Sequence, residues 1–204
     1  VVRESPIINK YNNLQKYLKK FDLVLTWNKL LCDKNKIFWL GYGNSSELLE
    51  NDPLKILQKK KRDLCTIISK KYSRNKNALY REREKAINFF TNSNLSFDLY
   101  GYGWDRRQFN GLFRPLNKLT FLNNFLYQPS ISYKGTVLSK ACTFKNYKFS
   151  ICFENCKSMG YITEKIFDSM FAGCIPIYLG CPNINNEIDP NTFIDYRDFS
   201  NYKE

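Results

Sequence analysis

Two carboxylates, an amide, a phenol and a lysine crowd into one stretch, YKFSICFENCKSMGYITEKIFDSMFAGCIPIYLG, residues 147–180. They are Glu154, Asn155, Tyr161, Glu164 and Lys165. A lysine in the first turn of a helix suits a phosphate, because the helix N-terminus offers free N–H groups and the positive end of a dipole. A carboxylate beside that phosphate has another task. Glu164 is suited to accept hydrogen bonds from sugar or ribose hydroxyls. The competing reading of Glu164 and Lys165 is a surface pair on a solvated helix face, and spacing alone does not choose between the two.

The elements that must position these groups are legible around them. Phe149 to Phe153 is a short apolar run and reads as a buried strand. Glu154 to Gly160 is polar, ends in Gly and reads as a loop. From Tyr161 to Ala172, the residues Ile162, Ile166, Phe167, Met170 and Phe171 mark one face of a helix, with Gly173 as its stop. Ile175 to Leu179 is a second apolar run, closed by Gly180. Strand, loop, helix and strand make a right-handed βαβ unit of a parallel sheet. Ligands of such sheets bind outside the carboxyl ends of the strands, where all five residues fall.

Elsewhere the chain is read more coarsely. Val1-Val2-Arg3 reads as a strand end running into Glu4-Ser5-Pro6, which makes Glu4 either a site carboxylate or an exposed loop residue. A short helix is expected over Tyr11 to Lys20, strands over Phe21 to Trp27 and Ile37 to Leu40, and a helix over Ser45 to Glu50. Pro53 and the run Lys59-Lys60-Lys61-Arg62 read as a solvated linker between residues 1–60 and 61–204. Beyond it come a strand at Leu64 to Ser69 and a polar loop carrying Arg74 and Lys76. A helix over Ala78 to Phe90 follows, with Leu79, Arg83, Ala86, Ile87 and Phe90 on one face. Strands are expected at Phe97 to Tyr100 and Phe193 to Asp195, and 105–134 reads as irregular.

Composition removes several kinds of chemistry. The chain has no His, which excludes Ser/His/Asp and Cys/His nucleophilic catalysis and the usual zinc sites. Seven Cys without a CxxC pair, several inside apolar runs, read as small buried hydrophobes in a reducing compartment. There is no Walker loop and no DxD, and Gly-Tyr-Gly at 41 and 101 is too short for a dinucleotide fingerprint. No signal peptide or membrane-spanning run is visible. The net charge of +13 suits nucleic acid, an anionic membrane surface or a phosphorylated substrate. A chain merely rich in Asn and Lys would reach the same charge without a function behind it. Most aromatics sit in expected strands and helix faces, which argues for core over base stacking.

The FEN at 153–155, a short spacer, Tyr161-Ile162-Thr163-Glu164-Lys165, a helix, IPIYLG and then NTFIDYRDF together resemble the donor-binding motif of the α-1,3-fucosyltransferases, glycosyltransferase family 10. Weaker similarity lies upstream. LCTIISKK resembles the strand entering the family's Ser-Asn loop, and ESP, FDLVLTW and GYG resemble acceptor-side segments. The resemblance implies an α/β fold of GT-B type, two Rossmann-like domains with the site between them. Residues 1–60 would be what is present of an incomplete N-terminal acceptor-side domain, and 61–204 the GDP-sugar-binding domain. It implies inverting transfer of fucose from GDP-β-L-fucose to a hydroxyl of an oligosaccharide, such as an N-acetylglucosamine-containing glycan, with no metal or other cofactor and no nucleic acid partner.

By that resemblance Asn155, Tyr161, Glu164 and Lys165 line the donor site, Lys165 neutralises the diphosphate, Glu164 engages hydroxyls, and Glu4 is the general base. The family's second diphosphate partner, an Arg, falls at Lys76 here, with Arg74 as the alternative and Lys70 in place of the motif's Asn. The alternatives are a GT-B transferase using another GDP-sugar, or a non-catalytic basic module binding nucleic acid or anionic glycans. The compartment stays open: cytoplasm or membrane periphery for a bacterial source, Golgi membrane for a eukaryotic one. A chain that opens without Met and stops as a new element begins is expected to be a fragment, which binds GDP but does not turn over.

Overall fold

A computed structural model describes the chain except for residues 1, 3, 6, 10, 42–51, 107, 108, 110–112, 114, 117, 118 and 120–126. The expected Ser45 to Glu50 helix lies outside the described residues. The N-terminal part holds helix α1 (Gln15–Leu18) and a parallel pair of strands, β1 (Val24–Thr26) and β2 (Ile37–Trp39). Leu18, Val24 and Ile37 form its small core. Val2 adds a parallel bridge to Thr26, so Glu4 follows directly on a strand-like segment. Strand β1 is shorter than its apolar run because β2 offers only three partners; Phe21 and Leu23 stay exposed.

The expected solvated linker is instead structured. Helix α2 (Pro53–Lys59) starts on an Asp52 side chain that accepts from the Leu54 and Lys55 N–H groups, with Pro53 in the first turn. An Asp followed by Pro is a favourable helix start, because Pro gives up only a hydrogen bond the helix would not make there. Lys60, the next residue, is buried at 9% exposure. Arg62 already belongs to a strand.

The main layer is a five-stranded all-parallel sheet in the order β4-β3-β5-β6-β7. Its strands are β3 (Arg62–Ile67), β4 (Phe97–Tyr100), β5 (Tyr147–Phe153), β6 (Ile175–Leu179) and β7 (Ile194–Asp195). Parallel strands are covered on both faces, and alternate residues therefore enter different cores. Leu64, Ile151, Phe153 and Leu179 pack with Leu79 and with Ala86 and Ile87 of helix α3 (Tyr80–Thr91). Their neighbours Cys65 and Cys152 point the other way, towards helices α4 (Lys140–Phe144) and α5 (Glu164–Phe171). After β7 the chain folds back onto α3, where the Tyr202 ring stacks on Phe89 at 5.5 Å and on Tyr196 at 4.9 Å. All seven cysteines are free; five are buried and Cys142 is exposed. Among the described residues no helix is long and apolar enough to cross a membrane.

Strand order matters for function. The chain leaves β3 to one side for β4, then crosses to the other side for β5. The carboxyl ends of β3 and β5 thus flank the point where the winding reverses, the place where open parallel sheets bind ligands.

Candidate active site

A cavity of about 230 Å³ opens at that point. Ile67, Ile68 and Ser69 line it from the end of β3, and Asn155 from the end of β5. Gly101, at the end of β4, comes so close to β3 that a Cβ there would sit 2.1 Å from the Ile68 carbonyl oxygen, and its φ of +124° also requires glycine. Glu4, Lys71, Arg83, Lys140, Tyr161, Thr163, Glu164 and Lys165 supply the polar wall.

Helix α5 begins at Glu164, later than the apolar spacing from Tyr161 suggests. Glu154, wholly buried, is the reason. Its Oε1 accepts from the Thr163 N–H at 2.7 Å, and both its oxygens accept from the Thr163 hydroxyl. These bonds hold Thr163 extended (φ −115°, ψ −175°) as the residue before the helix. Glu154 also takes Lys165 Nζ at 3.2 Å, and that ammonium donates to Thr163 Oγ1 at 2.7 Å. The end of β5 is thereby tied to the start of α5. Gly180 makes room for the tie, since a Cβ there would meet Glu154 Cγ at 2.5 Å.

Glu164 lies on the cavity rim, 3.6 Å from Lys165 and 3.5 Å from Lys140. Burial by itself raises its pKa, but Lys165 and Lys140 outweigh burial and hold the carboxyl below its usual value. Lys140 also bonds Asp168 at 2.8 Å.

Deeper in, a line of hydrogen bonds crosses from α3 to the N-terminal part. Arg83 is 3% exposed; its Nε and Nη2 donate to the Phe153 carbonyl at 3.0 and 2.7 Å, and Nη2 also donates to Asn155 Oδ1 at 2.9 Å. Asn155 Nδ2 donates to the Tyr161 hydroxyl at 3.4 Å, which donates to Glu4 Oε2 at 3.3 Å. Tyr161 is wholly buried, edge-on to the Trp27 ring at 5.0 Å. Burial, with Glu154 and Glu4 nearby, pushes its phenol well above the ordinary tyrosine value, so it stays a donor. Burial is also the largest influence on Arg83 and lowers its pKa, with Glu154 and Tyr80 acting in the other direction. An arginine remains charged through such a shift.

The structure therefore brings Glu4, Asn155, Tyr161, Glu164 and Lys165 to one cavity. Arg74 and Lys76 are exposed on the loop between β3 and α3, and neither lines it. The cations there are Lys71, Arg83, Lys140 and Lys165. Arg83 had a sequence signal, a charge at an apolar position of the α3 face; Lys71 and Lys140 had none. Among the described residues no group of three or more Cys, Asp or Glu side chains is placed to hold a metal ion. Chemically, the site offers cations for a phosphorylated ligand beside a carboxylate, Glu4, that can take a proton.

Known proteins resemble the chain in sequence and in fold. The chain is 47% identical over 58 residues to the Helicobacter pylori alpha-(1,3)-fucosyltransferase FucT, a stretch that is 28% of this chain and 12% of that enzyme. It is 35% identical over 63 residues to an Arabidopsis thaliana alpha-(1,4)-fucosyltransferase, covering 31% of this chain and 16% of the relative. In three dimensions it matches a solved alpha1,3-fucosyltransferase with a TM-score of 0.55 at 20% identity, over 90% of this chain and 53% of that one. The same comparison with a GDP-fucose complex gives 0.54, over 90% and 55%. The chain thus spans about half the length of the solved enzymes, and the shared fold is the α/β, GT-B-type architecture. With residues 57–204 matched by the model of the fucosyltransferase C-terminal region, the chain belongs to glycosyltransferase family 10.

Proposed function

We propose that the cavity binds GDP-β-L-fucose and that its enzyme transfers fucose, with inversion, to a hydroxyl of an oligosaccharide acceptor containing N-acetylglucosamine. The observation that carries this reading is the contact between Tyr161 and Glu4 at 3.3 Å, which sets a carboxylate from the N-terminal segment on the same cavity as the cations of the βαβ unit. Lys165 and the start of α5 face the diphosphate, and Glu164 accepts from hydroxyls of the nucleotide sugar. The acceptor oxygen attacks C1 of fucose from the face opposite the diphosphate. The C1–O bond breaks, its electrons stay on the β-phosphate oxygen, and Glu4 takes the acceptor proton. Fixed positive charge stabilises the leaving GDP as its own charge builds up. Lysine and arginine fill the part a divalent cation plays in other transferases, so no metal is needed.

One set of assays tests the reading. GDP should bind in preference to ADP, transfer should survive excess EDTA, and the product should carry α-linked fucose. Equal affinity for GDP and ADP would point to a non-catalytic polyanion module. Activity lost with EDTA and restored by manganese would place an ion at the diphosphate. A faster reaction with a different GDP-sugar would reassign the donor.

A further inference from the structure

We propose that a second cavity, between the N-terminal strands and helix α5, binds a neutral pyranose ring of a glycan. Its volume is about 170 Å³, and among the described residues none lines both it and the cavity of the candidate active site. Sites for drug-sized ligands run to roughly 300–1,000 Å³, so this one has room for a single small ring. Ile162, Phe167 and Ile188 supply apolar wall from the C-terminal side, and Trp27 and Trp39 bring two indoles from the N-terminal side. Glu187 adds a carboxylate. These walls are fixed. Gly160, also in the lining, donates its N–H to Asn183 Oδ1 at 3.0 Å and to Cys181 Sγ at 3.1 Å. Trp39 lies against Gly41, where a Cβ would come within 3.1 Å of the indole.

Charge and hydrogen bonding narrow what fits. Lys29 Nζ sits 2.6 Å from Glu187 Oε1 and 4.8 Å from the centroid of the Trp39 ring. The carboxylate is thus already neutralised, and a cation already occupies that indole. An incoming anion would have to take Lys29 away from Glu187. A neutral ligand remains. Trp27 is 2% exposed, and its Nε1 has no hydrogen-bond partner among the described residues. A buried N–H without an acceptor is costly, and an oxygen of a ligand in the cavity that Trp27 lines would satisfy it. The ligand that fits presents apolar surface to Ile162, Phe167, Ile188 and the indoles, accepts from an N–H and donates to a carboxylate oxygen. A pyranose does all three, with C–H groups on its faces and hydroxyls around its rim. A purely apolar molecule would leave the Trp27 N–H unsatisfied. The position is also suggestive of a glycan. Gly160 and Ile162 flank Tyr161, whose hydroxyl donates to Glu4 at 3.3 Å, and Trp27 packs edge-on to the Tyr161 ring at 5.0 Å. One side chain therefore separates this cavity from the proposed base. The ring has two sources, a non-reacting sugar of the acceptor or a separate glycan.

The indole N–H signals of nitrogen-15-labelled protein read the site directly, because the chain has three Trp and the third, Trp104, lies outside this cavity. Trp27→Phe, Trp39→Phe and Trp104→Phe assign the signals. Methyl glycosides of galactose, glucose and N-acetylglucosamine are titrated in turn. At least one should move the Trp27 and Trp39 signals while Trp104 stays in place; if none moves both, or if Trp104 moves equally, the proposal fails. The uronate and the amino sugar of the same ring should bind more weakly, and equal affinity for either overturns the neutral assignment. Trp39→Ala should weaken the sugar about two- to tenfold with GDP affinity unchanged; an unweakened sugar overturns the site. Should Trp39→Ala fail to fold, the wild-type signals decide. Kinetics of the active enzyme separate the two sources. An acceptor KM raised by Trp39→Ala at constant kcat marks an acceptor ring, and an unchanged KM with the indole shifts retained marks a separate glycan. Only this last arm rests on the transfer reading above. An enzyme that transfers no fucose defeats that reading and leaves the indole signals to decide this one.

Discussion

The two edges of the five-stranded sheet treat buried cations in opposite ways. At the amino edge, Lys60 is taken out of water without a carboxylate partner among the described residues, but its Nζ donates to the Phe144 carbonyl at 3.3 Å and the Ala172 carbonyl at 3.0 Å. Those carbonyls close α4 and α5, where the helix dipoles end negative. In β4, buried Asp98 accepts from Arg62 and, at 2.6 Å, from the Tyr147 hydroxyl. At the carboxyl edge Arg83 is just as buried, yet it meets a strand carbonyl and an amide and lines a cavity. Burial of a charge is therefore not itself a functional sign. What separates the two edges is that one buried cation ends on the carbonyls of two helices and the other lines a cavity.

Substitutions at the two edges should separate just as cleanly. The largest effect is expected from Glu4→Gln in the active enzyme. It keeps the shape and the bond from Tyr161 but cannot take a proton, so kcat should fall about 10²–10⁴-fold while GDP affinity stays near wild type. Near-normal turnover would return Glu4 to a structural role and put the base elsewhere. Next comes Lys165→Ala, which removes a charged hydrogen bond and with it at least about tenfold in GDP affinity. It also strips an ion-pair partner from wholly buried Glu154, so stability should fall as well. Intact GDP affinity in this variant would empty the carboxyl edge of its expected role. The smallest effect belongs to the amino edge. Lys60→Met should cost about 1–3 kcal/mol of stability in urea titrations with GDP affinity untouched; a loss of GDP binding would erase the contrast.

Lys60 adds a pH signature to that last comparison. Burial lowers its pKa below the ordinary 10.5, with Cys174 and Cys65 as smaller opposing influences. Between the lowered folded value and 10.5 the unfolded chain holds more protons than the folded one, so stability rises with pH across that window. The contribution is fully present above 10.5 and is lost as pH falls through the folded value. Wild type should therefore gain on Lys60→Met as the solution is made alkaline. A stability gap that stays flat up to pH 10.5 would contradict it.

Much of the site was legible in the sequence, because the groups flanking Lys165 sit in a strong local pattern. The apolar run before Glu154 and the spacing Ile162, Ile166, Met170 define strand and helix without any distant partner. Other features depended on distant contacts. Nothing in Lys59-Lys60-Lys61-Arg62 marks Lys60 as buried, since its partners Phe144 and Ala172 are far along the chain. The start of α5 at Glu164 was hidden for the same kind of reason, as the tie to Glu154 overrides the apolar spacing. The Asp52-Pro53 helix start was visible, but Pro beside a lysine run reads more readily as a linker. Arg83 was visible only as an oddity, a charge in the row Leu79, Ala86, Ile87. Its meaning required the cavity.

The charge around the cavity bears on the order in which molecules come and go. Lys71, Arg83, Lys140 and Lys165 line it with Glu4 and Glu164, and the chain as a whole carries a net charge of +13. Such a field draws an anionic donor in from a distance and quickens its arrival. On the proposed reaction it acts more strongly on the product, because free GDP carries more negative charge than GDP-fucose. Departure is thus expected to be the slow step at low ionic strength. Adding salt to about 0.1 M shortens the reach of the field to roughly 10 Å. Under that treatment kcat should rise while kcat/KM falls. If both fell together, the bond-breaking step rather than the exit of GDP would set the pace.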